Sequence, residues 1–245
     1  SKLLSPSNII ASAKTDKTLD NIKEKYKINT TKDLISLVKK CDIVVIAVKP
    51  NVYEEVLKQI KDYIDNEKII VTIAAGISIN SVEKIIGNDK KIIRTMPNTP
   101  ALVNCGMSSL SPNKNIEKND IDAVKTIFDS FGKSEIVDES LIDVVIGASG
   151  SSPAYAFMFI EAMADCAVSY GMKREMAYEF CAQAVMGAAK MLLETKKHPG
   201  ELKDMVCSPG GTTIEAVKTL ENEGMRSAVI NGMASCIEKS IEMSK

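Results

Sequence analysis

DIVVIAVKPNVYEEVLKQIKDYIDNEKIIVTIAAG, residues 42–76, decides the fold class. DIVVIAVKP (42–50) is a β-branched run that proline ends, YEEVLKQIKDYI is amphipathic at helical spacing, and KIIVTIAAG (68–76) is a second apolar run stopped by glycine. Strands that are apolar throughout must be covered on both faces, and a helix between two of them makes them parallel. The alternation extends outwards. Upstream, NIIASA (8–13) predicts a strand, and TLDNIKEKY and DLISLVKK predict helices. Downstream, Asn80 with Glu83 resembles a capping box that opens the helix SVEKII, which Gly87 closes. KIIRTMPNTP and GMSSLSP follow as short strands, and DIDAVKTIFDSFG is a helix with Gly132 at its end. A doubly wound α/β domain over residues 1–142 is expected.

The remainder, 143–245, predicts helices only. Ser152 is placed to cap SSPAYAFMFIEAMADCAVSYG, with Pro153 at its first helical position. This segment and REMAYEFCAQAVMGAAKMLLE are apolar nearly all the way round, and such a helix must be buried on all sides. One such helix could be a central core helix. Two in a row exceed what about a hundred residues can cover, which points to interlocking subunits.

With 245 residues, 31 Lys and Arg and 32 Asp and Glu, the chain is long enough for two domains and nearly neutral. Nothing in that balance points to nucleic acid or a membrane surface. The six cysteines never approach C-x-x-C spacing and are expected to be buried free thiols in a reducing compartment, with no metal framework. No apolar run is expected to reach the roughly 18 to 20 residues that span a bilayer, and there is no basic-then-apolar signal segment.

In an open parallel sheet, ligands bind beyond the carboxyl ends of the strands. Those ends read ASAKT, AVKPNV, IAAGIS and TMPNTP, each turning abruptly on small residues. Lys14, with Ser12 beside it, stands where a ribose 2′-phosphate would be met, whereas an acidic residue is usual for plain ribose hydroxyls. A solvated turn lysine is the alternative. The G-x-G-x-x-G loop that should precede these elements is absent, and SKLLSPSN looks like the tail of a first helix and its connection. The expectation is that a first strand–loop–helix unit of roughly twenty residues belongs before Ser1, since the later elements continue in phase.

Five motifs in order, AVKP (47–50), IAAG (73–76), MPNTP (96–100), GASGSSPAY (147–155) and HPGELKDMVCSPGGTTIEA (198–216), make the chain resemble Δ1-pyrroline-5-carboxylate reductases from about Asn8 to the C-terminus. SPGGTTIEA after HPG is the most specific of them. The resemblance implies an N-terminal Rossmann domain for NADPH or NADH, and a helical C-terminal domain forming an intertwined homodimer that assembles into decamers in several members. It implies a cytoplasmic enzyme of proline biosynthesis. Cofactor contacts carry over to Ala47, Val48, Lys49 and Pro50, to Ile73, Ala74 and Ala75, to Asn98 in MPNTP, and to Ser12, Ala13 and Lys14 for the 2′-phosphate. Ser152 stands where the family usually has glycine, a change that its value as a helix cap should make tolerable.

SPGGTT (208–213) carries the densest turn chemistry. Thr212 with Glu215 fits a capping box, so a helix from Thr213 would begin with free backbone N–H groups behind two glycines. Read alone, the segment fits either a small-carboxylate site or a flexible turn. The resemblance implies that Ser208, Gly210, Gly211, Thr212 and Thr213 hold the carboxylate of pyrroline-5-carboxylate, with Thr213 also a partner of the ring nitrogen. A substrate arriving as the iminium needs no strong general acid, in keeping with the absence of a Ser-His-Asp set, a carboxylate pair or a metal cluster. The single histidine, His198 in H-P-G, is better placed to cap the helix from Pro199 than to donate a proton. Lys49 suits cofactor contact, and the twelve methionines suit core positions. Two alternatives stand. A 3-hydroxyacid-type dehydrogenase would carry a catalytic lysine in the helix after the junction, where PAYAFMFIEAMADC has none. A cofactor-deficient oligomerising scaffold would bind no dinucleotide.

Overall fold

The computed structural model describes residues 3–243. The chain divides into two compact units, one running to Gly150 together with the chain from Ile237 onward, the other Ser151–Cys236.

The first unit opens with a 3-10 turn, Pro6–Asn8, within the stretch read as a helix tail and its connection; Ile9 after it is already extended. Ser1 and Lys2, the start of that expected tail, lie outside the described residues. Strand β1 (Ile10–Ser12) leads to α1 (Asp16–Tyr26), whose first turn is held by the Thr15 hydroxyl accepting from the Thr18 amide. Strand β2 (Asn29–Thr31) pairs parallel to β1. Helix α2 (Leu34–Lys40) is capped by Asp33. Then come β3 (Ile43–Ile46), α3 (Pro50–Ile60), β4 (Ile69–Thr72), α4 (Ile79–Ile86), β5 (Lys91–Met96), β6 (Gly106–Pro112), α5 (Lys118–Asp129) and β7 (Gly132–Ile136). Strands β3 to β7 form one sheet in sequence order; all neighbours are parallel except β5 and β6, which are antiparallel.

Side-chain alternation explains why β4 is apolar at every position. Ile70 joins Val44, Ile46, Tyr53, Leu57 and Val82 on the face covered by α3 and α4. Ile69 and Val71 join Ile93, Leu110, Val124 and Phe128 on the opposite face, covered by α5. The sheet is therefore doubly wound, as its sequence pattern predicts. A buried charge within it is satisfied: Arg94 Nη1 donates to Glu139 Oε1 at 2.8 Å, and the same oxygen accepts from the Ile79 amide at 2.8 Å.

Several local expectations fail for identifiable reasons. Helix α4 starts two residues early because Ser78, not Asn80, is the cap: its hydroxyl accepts from the Ser81 amide at 3.1 Å. Gly132 opens β7 rather than closing α5, which ends at Asp129 with Ser130 as its cap. The cap of the first long C-terminal helix is Ser151, so Ser152 is already helical and Pro153 stands in the first turn.

After a short helix α6 (Ile142–Val145) and a π-helical turn Ile146–Gly150, the second unit contains α7 (Ser152–Ser169), α8 (Arg174–Thr195), α9 (Pro199–Val206), α10 (Thr212–Asn222) and the greater part of α11 (Met225–Met243). Its own core is small: Ala164, Ala177 and Cys181 between α7 and α8. Phe157 (66% exposed), Met158 (69%) and Phe180 (64%) stand open on one chain. An apolar surface of that kind is the mark of an interaction face. The helices expected to be buried all round are thus not covered within a single chain. The cysteines are all free but not all buried: Cys181 is, whereas Cys105 lies exposed in the turn before β6 and Cys166 on an uncovered part of α7. Contrary to the sequence-based expectation, the continuous helical run Glu139–Ser169 is long and apolar enough to cross a membrane, by length and composition alone.

Candidate active site

The first unit brings three predicted segments to one edge, because β3, β4 and β5 run parallel and their carboxyl ends fall together. At the tip of β3, Ala47 is exposed, Val48 packs partly against the core, and Lys49 is the extended residue before α3. Pro50 occupies the first turn of α3 and carries no N–H, the Val52 amide donates to the Lys49 carbonyl at 3.0 Å, and among the described residues no side chain caps that helix. The tip of β1 carries Ser12, half-buried, and Lys14, exposed.

The tip of β4 is fixed from beneath. The Thr72 hydroxyl accepts from the Ala74 amide at 3.4 Å, and the Thr72 carbonyl accepts from the Thr95 hydroxyl at 3.0 Å. Thr72 and Thr95 are both buried. Ile73 is half-buried, Ala74 buried and Ala75 exposed, and Gly76 completes the turn at φ 75°, a conformation that favours glycine. Beside Thr72, the phenol of buried Tyr53 completes no hydrogen bond of normal geometry among the described residues. Burial pushes its pKa up to about 12 against a smaller opposing influence of Thr72. Thr72, Thr95 and Tyr53 were not singled out from sequence. The available signal was a threonine near the end of each of two strand patterns, KIIVT and KIIRT.

At the tip of β5, the Asn98 side chain is used at both ends. Its amide donates to the Ser149 carbonyl and its oxygen accepts from the Met107 amide, each at 2.9 Å. Asn98 therefore holds the chain at the edge where the other cofactor-assigned residues stand.

In the second unit, the His198 Nδ1 accepts from the Gly200 amide at 3.1 Å and caps α9. The segment after α9 is a turn closed by the Gly211 amide donating to the Ser208 carbonyl at 3.0 Å. Pro209 is its second residue and Gly210, at φ 66°, its third, the residue pattern of a type II turn. Gly211 lies so close to Ser208 that an added Cβ would collide with the Ser208 hydroxyl.

The expected capping box does not form. Thr212 is itself the first residue of α10, Gly211 is the cap, and no side chain bonds the leading amides. Glu215 instead lies 3.8 Å from Lys218. The helix consequently starts with open N–H donors, partly exposed Thr213 one residue inside it, and the positive end of its dipole directed outward. This is a chemically suitable receptor for a small carboxylate. Among the described residues, no group of three or more His, Cys, Asp or Glu side chains could hold a metal ion.

Comparison with known proteins agrees with both halves of this arrangement. Residues 139–243 match the family model described as pyrroline-5-carboxylate reductase dimerisation, and residues 1–76 match that of NADP oxidoreductase, coenzyme F420-dependent. The chain is 52% identical over 222 residues to the pyrroline-5-carboxylate reductase of Escherichia coli K12, covering 91% of this chain and 82% of that one. It is 42% identical over 243 residues to the enzyme of the same name from Methanosarcina acetivorans, covering 99% and 90%. The solved pyrroline-5-carboxylate reductase of Coxiella burnetii superposes with a TM-score of 0.93 at 33% identity, over 98% of this chain and 90% of that chain. The Plasmodium falciparum pyrroline carboxylate reductase with NADP bound gives 0.87 at 31% identity, over 100% and 90%. By sequence, by structure and by the dimerisation segment, this chain belongs to the pyrroline-5-carboxylate reductase family.

Proposed function

We propose that the chain reduces the C=N bond of Δ1-pyrroline-5-carboxylate to give L-proline, with NADPH as the hydride donor. The observation that carries this reading is the open, glycine-fronted start of α10 in a chain 52% identical to a named reductase. Residues 1–142 serve as the dinucleotide domain and 143–245 as the substrate and dimerisation domain. The strand tips fit a dinucleotide: small residues at Ala47, Ala74 and Ala75, a left-handed Gly76, and an α3 start without a side-chain cap. Ser12, Lys14, Ala47, Val48, Lys49, Pro50, Ile73, Ala74 and Ala75 hold the cofactor, with Asn98 fixing the neighbouring tip.

When bound, the nicotinamide supplies the hydride; the chain's own residues position, orient and neutralise. Thr212 and Thr213 take the substrate carboxylate on backbone amides at the positive end of α10. Ser208, Gly210 and Gly211 form the turn that lets it approach, the Gly211 amide closing that turn on the Ser208 carbonyl. The Thr213 hydroxyl hydrogen-bonds the ring nitrogen, orienting the iminium carbon and stabilising the amine that forms. An iminium substrate arrives already protonated, so the chain needs no strong acid.

Lys14, exposed beyond β1 with Ser12 beside it, favours NADPH over NADH. The uncovered apolar faces of α7 and α8 are assigned to a second copy rather than to a bilayer, because the dimerisation match spans them. Dimers then assemble towards a decamer. Six unpaired thiols suit a reducing, cytoplasmic setting. The test is pyrroline-5-carboxylate-dependent oxidation of NADPH by the purified chain, alongside fluorescence titration with NADPH. Saturable turnover is expected. Assembly into a stable oligomer without dinucleotide binding or turnover would replace this reading with that of a scaffold.

A further inference from the structure

We infer that Thr72 is a positioning residue for the cofactor: its buried hydroxyl sets the backbone of the Ile73–Ala74–Ala75 turn against which the dinucleotide lies. The inference rests on the proposed role of that turn. Thr72 is the last residue of β4 and fully buried, and two independent bonds define its place. The Ala74 amide donates to its hydroxyl, curling the chain immediately after the strand, while its carbonyl is held by the Thr95 hydroxyl of β5.

Local side-chain-to-backbone bonding of this kind offers the amide an alternative to the strand ladder, so β4 stops and turns at a defined residue. Ala74 is itself buried, which leaves its N–H no bulk water to fall back on. With the hydroxyl in place, one conformation of the turn is favoured, and exposed Ala75 is presented at the edge shared with the β3 tip. Without it, the turn must find another partner for the amide, and the surface offered to the cofactor changes.

The experiment measures NADPH and pyrroline-5-carboxylate kinetics together with thermal melting for Thr72→Val, Thr72→Ser, Thr95→Val and Ala75→Phe. Thr72→Val keeps the shape and deletes the hydroxyl. It is expected to raise KM for NADPH by about three- to tenfold, the equivalent of one hydrogen bond, with KM for the imine and kcat at saturating NADPH near the parent values. Thr72→Ser retains the hydroxyl and is expected to restore the parent KM. Should Thr72→Val fail to fold, Thr95→Val, which frees the Thr72 carbonyl from the other side, is expected to raise KM for NADPH alone. A lowered melting temperature with unchanged KM for NADPH, or equal changes in both KM values, would overturn the inference. Ala75→Phe places bulk on the exposed turn and separates the two levels. If it raises KM for NADPH while Thr72→Val does not, only the positioning role fails; if it leaves that KM unchanged, the turn is not at the cofactor and the underlying assignment fails.

Discussion

The side-chain amide of Asn98 donates to the Ser149 carbonyl at 2.9 Å, tying the tip of β5 to the π-helical turn 51 residues further along the chain. Its oxygen simultaneously accepts from the Met107 amide at the start of β6. One half-buried asparagine thus closes two backbone groups that no ladder reaches, using its donor and acceptor ends separately. Asn98→Ala leaves both groups unpaired and should destabilise the protein by about 1–3 kcal/mol. Asn98→Asp keeps the acceptor for the Met107 amide but turns a carboxylate oxygen on the Ser149 carbonyl, and should lose at least as much. Chemical denaturation of the three proteins checks the order, and an unchanged Asn98→Ala midpoint would contradict the tie.

At the substrate end, the decisive comparison is Thr213→Ala against Thr213→Ser. Deleting the hydroxyl removes a bond to a charged or charging ring nitrogen, and should lower kcat/KM for pyrroline-5-carboxylate by about 10- to 100-fold. Serine should recover most of it, and KM for NADPH should hold. A Thr213→Ala enzyme with parent kcat/KM would remove Thr213 from the reaction.

His198 should behave differently from a proton donor. Its Nδ1 is committed to the Gly200 amide, so His198→Ala removes a helix cap. The expected cost is about 0.5–2 kcal/mol of stability, with kcat changed less than tenfold. His198→Asn, a good cap that cannot act as a general acid at neutral pH, should restore stability. A fall in kcat of about a thousandfold in both variants would instead make the imidazole a general acid.

Lys14 bears on cofactor choice. If its ammonium meets the 2′-phosphate, Lys14→Ala should raise KM for NADPH by about tenfold, the scale of an exposed charge-assisted contact. KM for NADH should stay unchanged. Steady-state kinetics with both cofactors decides it, and parallel changes for the two would exclude the phosphate role.

The sequence exposed some parts of this architecture and hid others for physical reasons. β4 was legible because both its faces are buried, Ile69 and Val71 on one side and Ile70 on the other. β3 was legible from its β-branched run alone, since Val44 and Ile46 are buried but Val45 on its second face is exposed. β2 (NTT) and β7 (GKSEI) were not anticipated. Each is the last strand of its ladder and mostly uncovered, so no apolar pattern marks it. Helix starts moved by one or two residues because several hydroxyl and amide residues cluster there, and only the turn geometry selects Ser78 over Asn80 or Gly211 over Thr212. The SPGGTT segment was readable as turn chemistry, and is proposed as a substrate site only through family resemblance. Thr72 and Asn98 act through partners distant in sequence or fixed by a turn. Residue type alone could not reveal those bonds.

The helical half should report its partner through its own surface. Phe157, Met158 and Phe180 are each more than half exposed on one chain, although the helices around them are apolar on nearly every side. Covering one such side chain completely is worth about 1.5–3 kcal/mol, and the dimerisation match spans all three. A carboxylate in that surface would lose the gain and meet a desolvation penalty on association. Phe157→Glu with Phe180→Glu should therefore shift the protein towards monomer in light scattering coupled to size exclusion. The NADPH binding proposed for the first unit should persist, since its β-sheet core lies wholly within residues before Gly150. Retention of the parent oligomer by the double variant would place the interface on another face of the helices, whereas loss of NADPH binding together with the oligomer would show that the dinucleotide unit depends on assembly.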